Sequence, residues 1–165
     1  MNGVRTTRHP WVGGLLIAAG LLGVVTGLVP LTVNALRIVA DEKLWGAVEL
    51  AAHGVEALGL SLDWALLSSA AGAGLGVLLL CAGLGWRRGV PWAAPVSWAY
   101  VVMGLAVNAT DLLIFALRAR PGPTRTTMLL ADGVAVLIPL ALAAWMIRQK
   151  ASPWPPGGPH SPIDN

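Results

Sequence analysis

Charge is scarce in this sequence. Only 12% of its 165 residues are Asp, Glu, Lys or Arg, while 56% are hydrophobic. A soluble domain carries about 25% charged residues, so roughly half of the usual solvating charge is missing. There is one Cys, one Tyr and one Phe. The lone Cys81 excludes an intramolecular disulfide, a Cys-rich metal site and any thiol chemistry that needs a cysteine pair. Its neighbours Leu78, Leu79, Leu80 and Ala82 mark it as a small buried hydrophobe. No histidine lies in a long apolar run, which speaks against bis-histidine haem ligation. Ser/His/Asp arrangements, the His-Glu-x-x-His zinc motif, phosphate-cradling glycine loops and the dinucleotide fingerprint are also missing. The stretch GLGWRRG at Gly83–Gly89 is rich in glycine, but it closes an apolar run and reads as a basic membrane flank. The sequence therefore nominates no catalytic residue, no metal ligand and no cofactor, and it reads as non-enzymatic.

What is abundant is uninterrupted apolar length. Mean hydropathy is +0.70, and four stretches of about 20 residues are long enough to cross a bilayer. They run from about 11–33, 64–86, 96–117 and 126–147. Tryptophans stand near their ends (Trp11, Trp64, Trp86, Trp92, Trp145), as an interfacial belt would. The net charge of +3 raises nucleic acid as a partner, but the arginines cluster at the flanks of the apolar runs, so the partner read from this pattern is the lipid bilayer. The expected architecture is an all-α, integral-membrane four-helix bundle forming one domain over 1–150. The tail ASPWPPGGPHSPIDN, residues 151–165, is rich in Pro and Gly and is expected to be disordered.

Arg5 and Arg8 before the first run, with Val33-Asn34-Ala35 behind it, also fit a cleaved signal sequence. The apolar region is longer than the 7–15 residues of such signals, which favours a retained helix. Arginines before the first span favour a cytoplasmic N-terminus. Four spans then put the C-terminus on the same side of a bacterial-type cell membrane.

Between spans 1 and 2, Leu44, Val48, Ala51, Val55, Leu58 and Leu62 recur at steps of 4 and 3, while Glu42, Glu49, Glu56 and Asp63 recur every seven. These two stripes predict an extra amphipathic helix over about 42–58, lying on the outer face. Glu49, His53 and Glu56 share one side of it, a pattern read as a solvated face in preference to a metal site. Ser61 or Asp63 is placed to cap the start of span 2.

The segment NATDLLIFALRARPGPTRTTMLLADG holds the chemistry. Asp111 precedes Arg118 by seven residues, and Arg125 precedes Asp132 by seven, in mirror register about a Pro-Gly-Pro turn. Each aspartate lies about 9 Å inside the outer end of its span. Antiparallel neighbours would bring both carboxylates to one layer. Ser97, Gly104, Asn108 and Asp111 follow helical spacing on one face of span 3, which must look inward because Asn and Asp facing hydrocarbon would be unsatisfied. The candidate site is thus a polar cluster of Asn34, Asn108, Asp111 and Asp132 with Arg37 and Arg118 at its rim. Asn108-Ala109-Thr110 matches a glycosylation acceptor, but its place within the bilayer predicts that it stays unmodified.

Two small-xxx-small pairs, Gly23/Gly27 and Gly72/Gly76, with Ser68 extending the second, predict close helix approach. Pro30 and Pro139 are expected to free carbonyls at Thr26 and Ala135. In layout and size the chain resembles small bacterial membrane families such as DoxX-like proteins and small multidrug exporters. The exporters carry an essential glutamate in their first span, and this first span has no acidic residue. The leading reading is a structural or interaction subunit that self-associates or binds other membrane proteins, its aspartates pinned by arginine. The alternative is a small proton- or cation-coupled carrier that uses Asp111 and Asp132.

Overall fold

A computed structural model describes residues 9–39 and 58–151, with side chains over 9–32 and 58–149. The expected amphipathic helix and its Glu49/His53/Glu56 face lie outside the described residues apart from Leu58, as does the tail beyond Ala151. All regular structure among the described residues is helical: α1 (Pro10–Val39), α2 (Leu62–Arg88), α3 (Ala93–Leu117) and α4 (Pro123–Ala151). Each contains a segment long and apolar enough to cross a membrane, and only 17–28% of each segment is buried within the chain. The rest exposes side chains such as Leu22, Val25, Leu67, Val102, Leu130 and Val134. Water would not tolerate so continuous an apolar surface, but lipid would. The chain is a small membrane protein built of four apolar helices.

Local chemistry sets the ends. At the start of α2 the Ser61 hydroxyl accepts from the Trp64 amide at 3.3 Å, satisfying one of the orphan donors of a helix N-terminus. Gly89 ends α2 in the left-handed region (φ 67°, ψ 36°), where only glycine is unstrained, and its N–H donates to the Gly85 carbonyl. Arg87 and Arg88 occupy the last turn, where the helix dipole favours cations. α1 and α4 run through Pro30 and Pro139. Pro139 is fully buried, and its ring lies 3.7 Å from where a Gly104 side chain would begin, so it packs against α3 as well as interrupting the α4 hydrogen bonds.

α1 packs along α2, α2 along α3, and α3 along α4. The α1–α2 seam is a backbone contact. A Cβ at Gly20 would meet Leu80 N at 2.7 Å and the Gly76 carbonyl at 2.8 Å; one at Gly83 would meet Gly13 O and Ile17 N, both at 2.8 Å. A Cβ at Gly27 would collide with the Ala73 backbone, and one at Gly13 with the Arg87 stem. In lipid no hydrophobic force draws helices together, so close van der Waals approach between small residues supplies the attraction. The seam is a heptad of glycines, Gly13, Gly20 and Gly27, set against Ala73, Gly76 and Gly83. Of the expected pairs, Gly23, Gly27 and Gly76 lie in the seam, whereas a Cβ added at Gly72 would meet nothing within 4 Å.

Two clusters close the ends. At the α2–α3 turn, Val12, Leu16, Leu79, Ala82, Trp86, Ala93, Tyr100, Leu142 and Met146 form the main core. Trp86 stacks edge to face with Trp145 at 5.0 Å and with His9 at 5.8 Å, and its indole N–H donates to Ser97 Oγ at 2.9 Å. Trp86 is therefore a core residue. The expected belt survives at Trp11 and Trp92, which are exposed. At the opposite end Leu58, Phe115 and Ala119 form a smaller core. The Leu58 carbonyl accepts from the Arg120 amide at 3.0 Å, which ties the chain before α2 to the α3–α4 turn.

Candidate functional site

The site grows from two heptads that run in opposite directions. On α3, Ser97, Gly104 and Asp111 are spaced by seven and all are buried. On α4, Arg125, Asp132, Pro139 and Met146 are spaced by seven, and none of the four is exposed. Gly104 and Pro139 touch. One heptad further along each helix, in the direction of the α3–α4 turn, stand Asp111 and Asp132. A heptad is about 10.5 Å of rise on both helices, so antiparallel register brings the two carboxylates to the same level across the interface.

α2 contributes the third member. Trp64 and Phe115 meet edge to face at 5.0 Å. One turn inward, Ser68 Oγ donates to Asp111 Oδ2 at 2.7 Å. This is a short, charge-assisted geometry that links α2 to α3. Asp111 is 9% exposed. Asp132 is half-buried, and its Oδ2 is buried with no hydrogen-bond partner among the described residues. Arg125, two turns from Asp132 on the same face, donates Nη2 to the Ala116 carbonyl at 2.6 Å, while its Nε is buried and unpartnered.

The residues of the expected cluster are placed as follows. Asp111 is bonded by a serine of α2 and not by Arg118, which is exposed and forms no ion pair among the described residues. Arg118 caps the end of α3 through its backbone, N–H to Ile114 O at 2.8 Å, and a residue at that point has left the helical face that carries Asp111. Asn108 is half-buried on the α3 side of the site, with no side-chain hydrogen bond among the described residues. Asn34 and Arg37 lie in α1, and their side chains are outside the described set. Ser68 was visible in the sequence only as a small residue in a stripe with Gly72 and Gly76. Its place one turn inward of Trp64, as Asp111 is one turn inward of Phe115, is what makes it a ligand.

Chemically, two carboxylates at one level, with one serine donor and no arginine bonded to either among the described residues, form an acidic site in an apolar layer. Among the described residues no group of three or more His, Cys, Asp or Glu side chains is placed to hold a metal ion. Comparison of the chain with protein-family models, with curated proteins and with solved structures finds no match.

Proposed function

We propose that this chain is a non-enzymatic integral membrane protein in which Asp111 and Asp132 form an exchangeable site for a proton or a small cation, as in a small carrier or channel. The observation that carries the reading is the buried Oδ2 of Asp132, which has no hydrogen-bond partner among the described residues and lies at the level of Asp111 across the α3–α4 interface. Two carboxylates in one apolar layer resist being ionised together, and a proton or cation shared between them relieves that repulsion. Intramembrane carboxylates mark ion and proton pathways in many membrane proteins. What supports placing the carrier reading first is the unpartnered, buried Oδ2 of Asp132, which a pinned carboxylate would not leave free. The membrane would be a bacterial-type cell membrane, with both termini cytoplasmic.

The structural or interaction subunit remains the second reading, favoured by the Ser68–Asp111 bond, which joins two helices. The two readings part on Asp111→Asn and Asp132→Asn. A working site predicts that both variants unfold in detergent at or above the wild-type temperature, because a repulsion has been removed. In proteoliposomes both would lose proton or monovalent-cation flux by tenfold or more. Pinning through the Ser68–Asp111 bond predicts a stability loss for Asp111→Asn, smaller than the cost of removing the Ser68 donor, about 1–3 kcal/mol, and no flux in the wild type. That second pair of results would remove the carrier reading.

A further inference from the structure

We propose that the α3–α4 turn is a binding site for the phosphate-bearing headgroup of an anionic phospholipid, held by Arg118, Arg120 and Arg125. The proposal stands apart from the carboxylate site. Three arginines fall within eight residues, with no acidic residue anywhere between Asp111 and Asp132. None of the three forms an ion pair among the described residues. Arg118 and Arg120 are exposed, and Arg125 is half-buried. A guanidinium presents its donors in a planar fork that matches phosphate oxygens. Arg125 is anchored by Nη2 to Ala116 O, which holds its guanidinium at the turn.

The turn is also a fixed platform. Ala119 is 6% exposed and packs with Leu58 and Phe115, and the Arg120 amide is bonded to Leu58 O. The Arg120 side chain crosses Gly59, whose positive φ (69°) leaves no Cβ in its way. A platform already ordered loses little entropy when a ligand arrives. Position selects lipid over free phosphate. The turn joins the ends of two apolar spans, which puts it at headgroup depth, and directly below it Leu113, Leu117 and Leu130 are exposed to receive acyl chains. Basic residues near an anionic surface each strengthen binding by roughly fivefold, so three give on the order of a hundredfold. Arg87 and Arg88, at the other end, sit in the last turn of α2, and the Arg87 stem packs across Gly13. That pair is the natural control.

The test uses the full chain in mild detergent micelles doped with phosphatidylglycerol or phosphatidylcholine, and native mass spectrometry counts the lipids retained. The wild type should retain phosphatidylglycerol at least tenfold over phosphatidylcholine. Arg118→Gln/Arg120→Gln/Arg125→Gln together should bring the ratio near one, and Arg87→Gln/Arg88→Gln should leave it unchanged. Should the triple variant fail to fold, Arg118→Gln alone, at an exposed side chain without a bond, should still lower the ratio several-fold. The proposal is overturned if the wild type shows no preference, if the Arg118→Gln ratio equals that of the wild type, or if the Arg87/Arg88 control loses as much. Equal competition by inorganic phosphate at matched concentration would also overturn it, by making the ligand a free anion.

Discussion

Replacing Gly20 by alanine tests the α1–α2 seam directly. The new Cβ would stand 2.7 Å from Leu80 N and 2.8 Å from Gly76 O. Both are backbone atoms on the facing helix and cannot swing aside as a side chain would. Relief to an ordinary contact near 3.4 Å requires the helices to part by roughly 0.6 Å, and a gap of that size forfeits a quarter to a half of the attraction of every neighbouring contact. Overpacking of this kind costs about 1–3 kcal/mol. Alanine also favours helix over glycine by about 0.5–1 kcal/mol, which acts in the opposite direction. Gly72→Ala isolates that second effect, because nothing lies within 4 Å of its added Cβ. Equilibrium unfolding in mixed detergent and dodecyl sulfate micelles, followed by far-UV circular dichroism, should find Gly72→Ala equal to or slightly more stable than the wild type. Gly20→Ala should fall below Gly72→Ala by about 1–3 kcal/mol. Two variants agreeing within about 0.5 kcal/mol would refute the close backbone contact.

The same unfolding assay checks three further expectations. Ser68→Ala strips Asp111 Oδ2 of its hydroxyl donor and should cost about 1–3 kcal/mol, whereas Asp111→Asn keeps an acceptor for that donor and should cost less; the reverse order would remove Ser68 as the ligand. Ser97 is fully buried and accepts the Trp86 indole N–H, so Ser97→Ala leaves a buried donor unpaired, at a cost of about 1–3 kcal/mol, with a shift in tryptophan fluorescence. Leu58→Ala should loosen the smaller core by about 2–3 kcal/mol, near the lower end for leucine truncations because this core is small. Protease access near Gly59 should rise with it, and unchanged protection would say that the Leu58 anchor does not hold the turn.

Much of the architecture was legible because membrane helices advertise themselves. Unbroken apolar length located all four, with helix ends extended by a few residues where polar flanks continue the hydrogen-bonded spiral, as in α1 from Val33 to Val39 and in α4 from Ile147 to Ala151. The Ser61 cap was legible because a serine three residues before an amide at a helix start has one obvious partner. The inward face of α3, with Ser97, Gly104 and Asp111, followed from helical spacing alone. Tryptophans were harder: position near a span end does not distinguish Trp92, which meets the interface, from Trp86, which is 7% exposed within the core.

The sequence by itself thus determined which residues share a helix and a face, including the mirror register that sets Asp111 opposite Asp132. That follows from a fixed rise and twist per residue and from a turn too short to let the two helices of the hairpin drift. Only the tertiary structure decided what meets each face. Periodicity carries no record of how far a helix rotates about its own axis against a neighbour. It therefore could not tell Gly20, pressed against the α2 backbone, from Gly72, which has open space beside it. Nor could it tell that Ser68 of α2, and not Arg118 of α3 itself, reaches the Asp111 carboxylate.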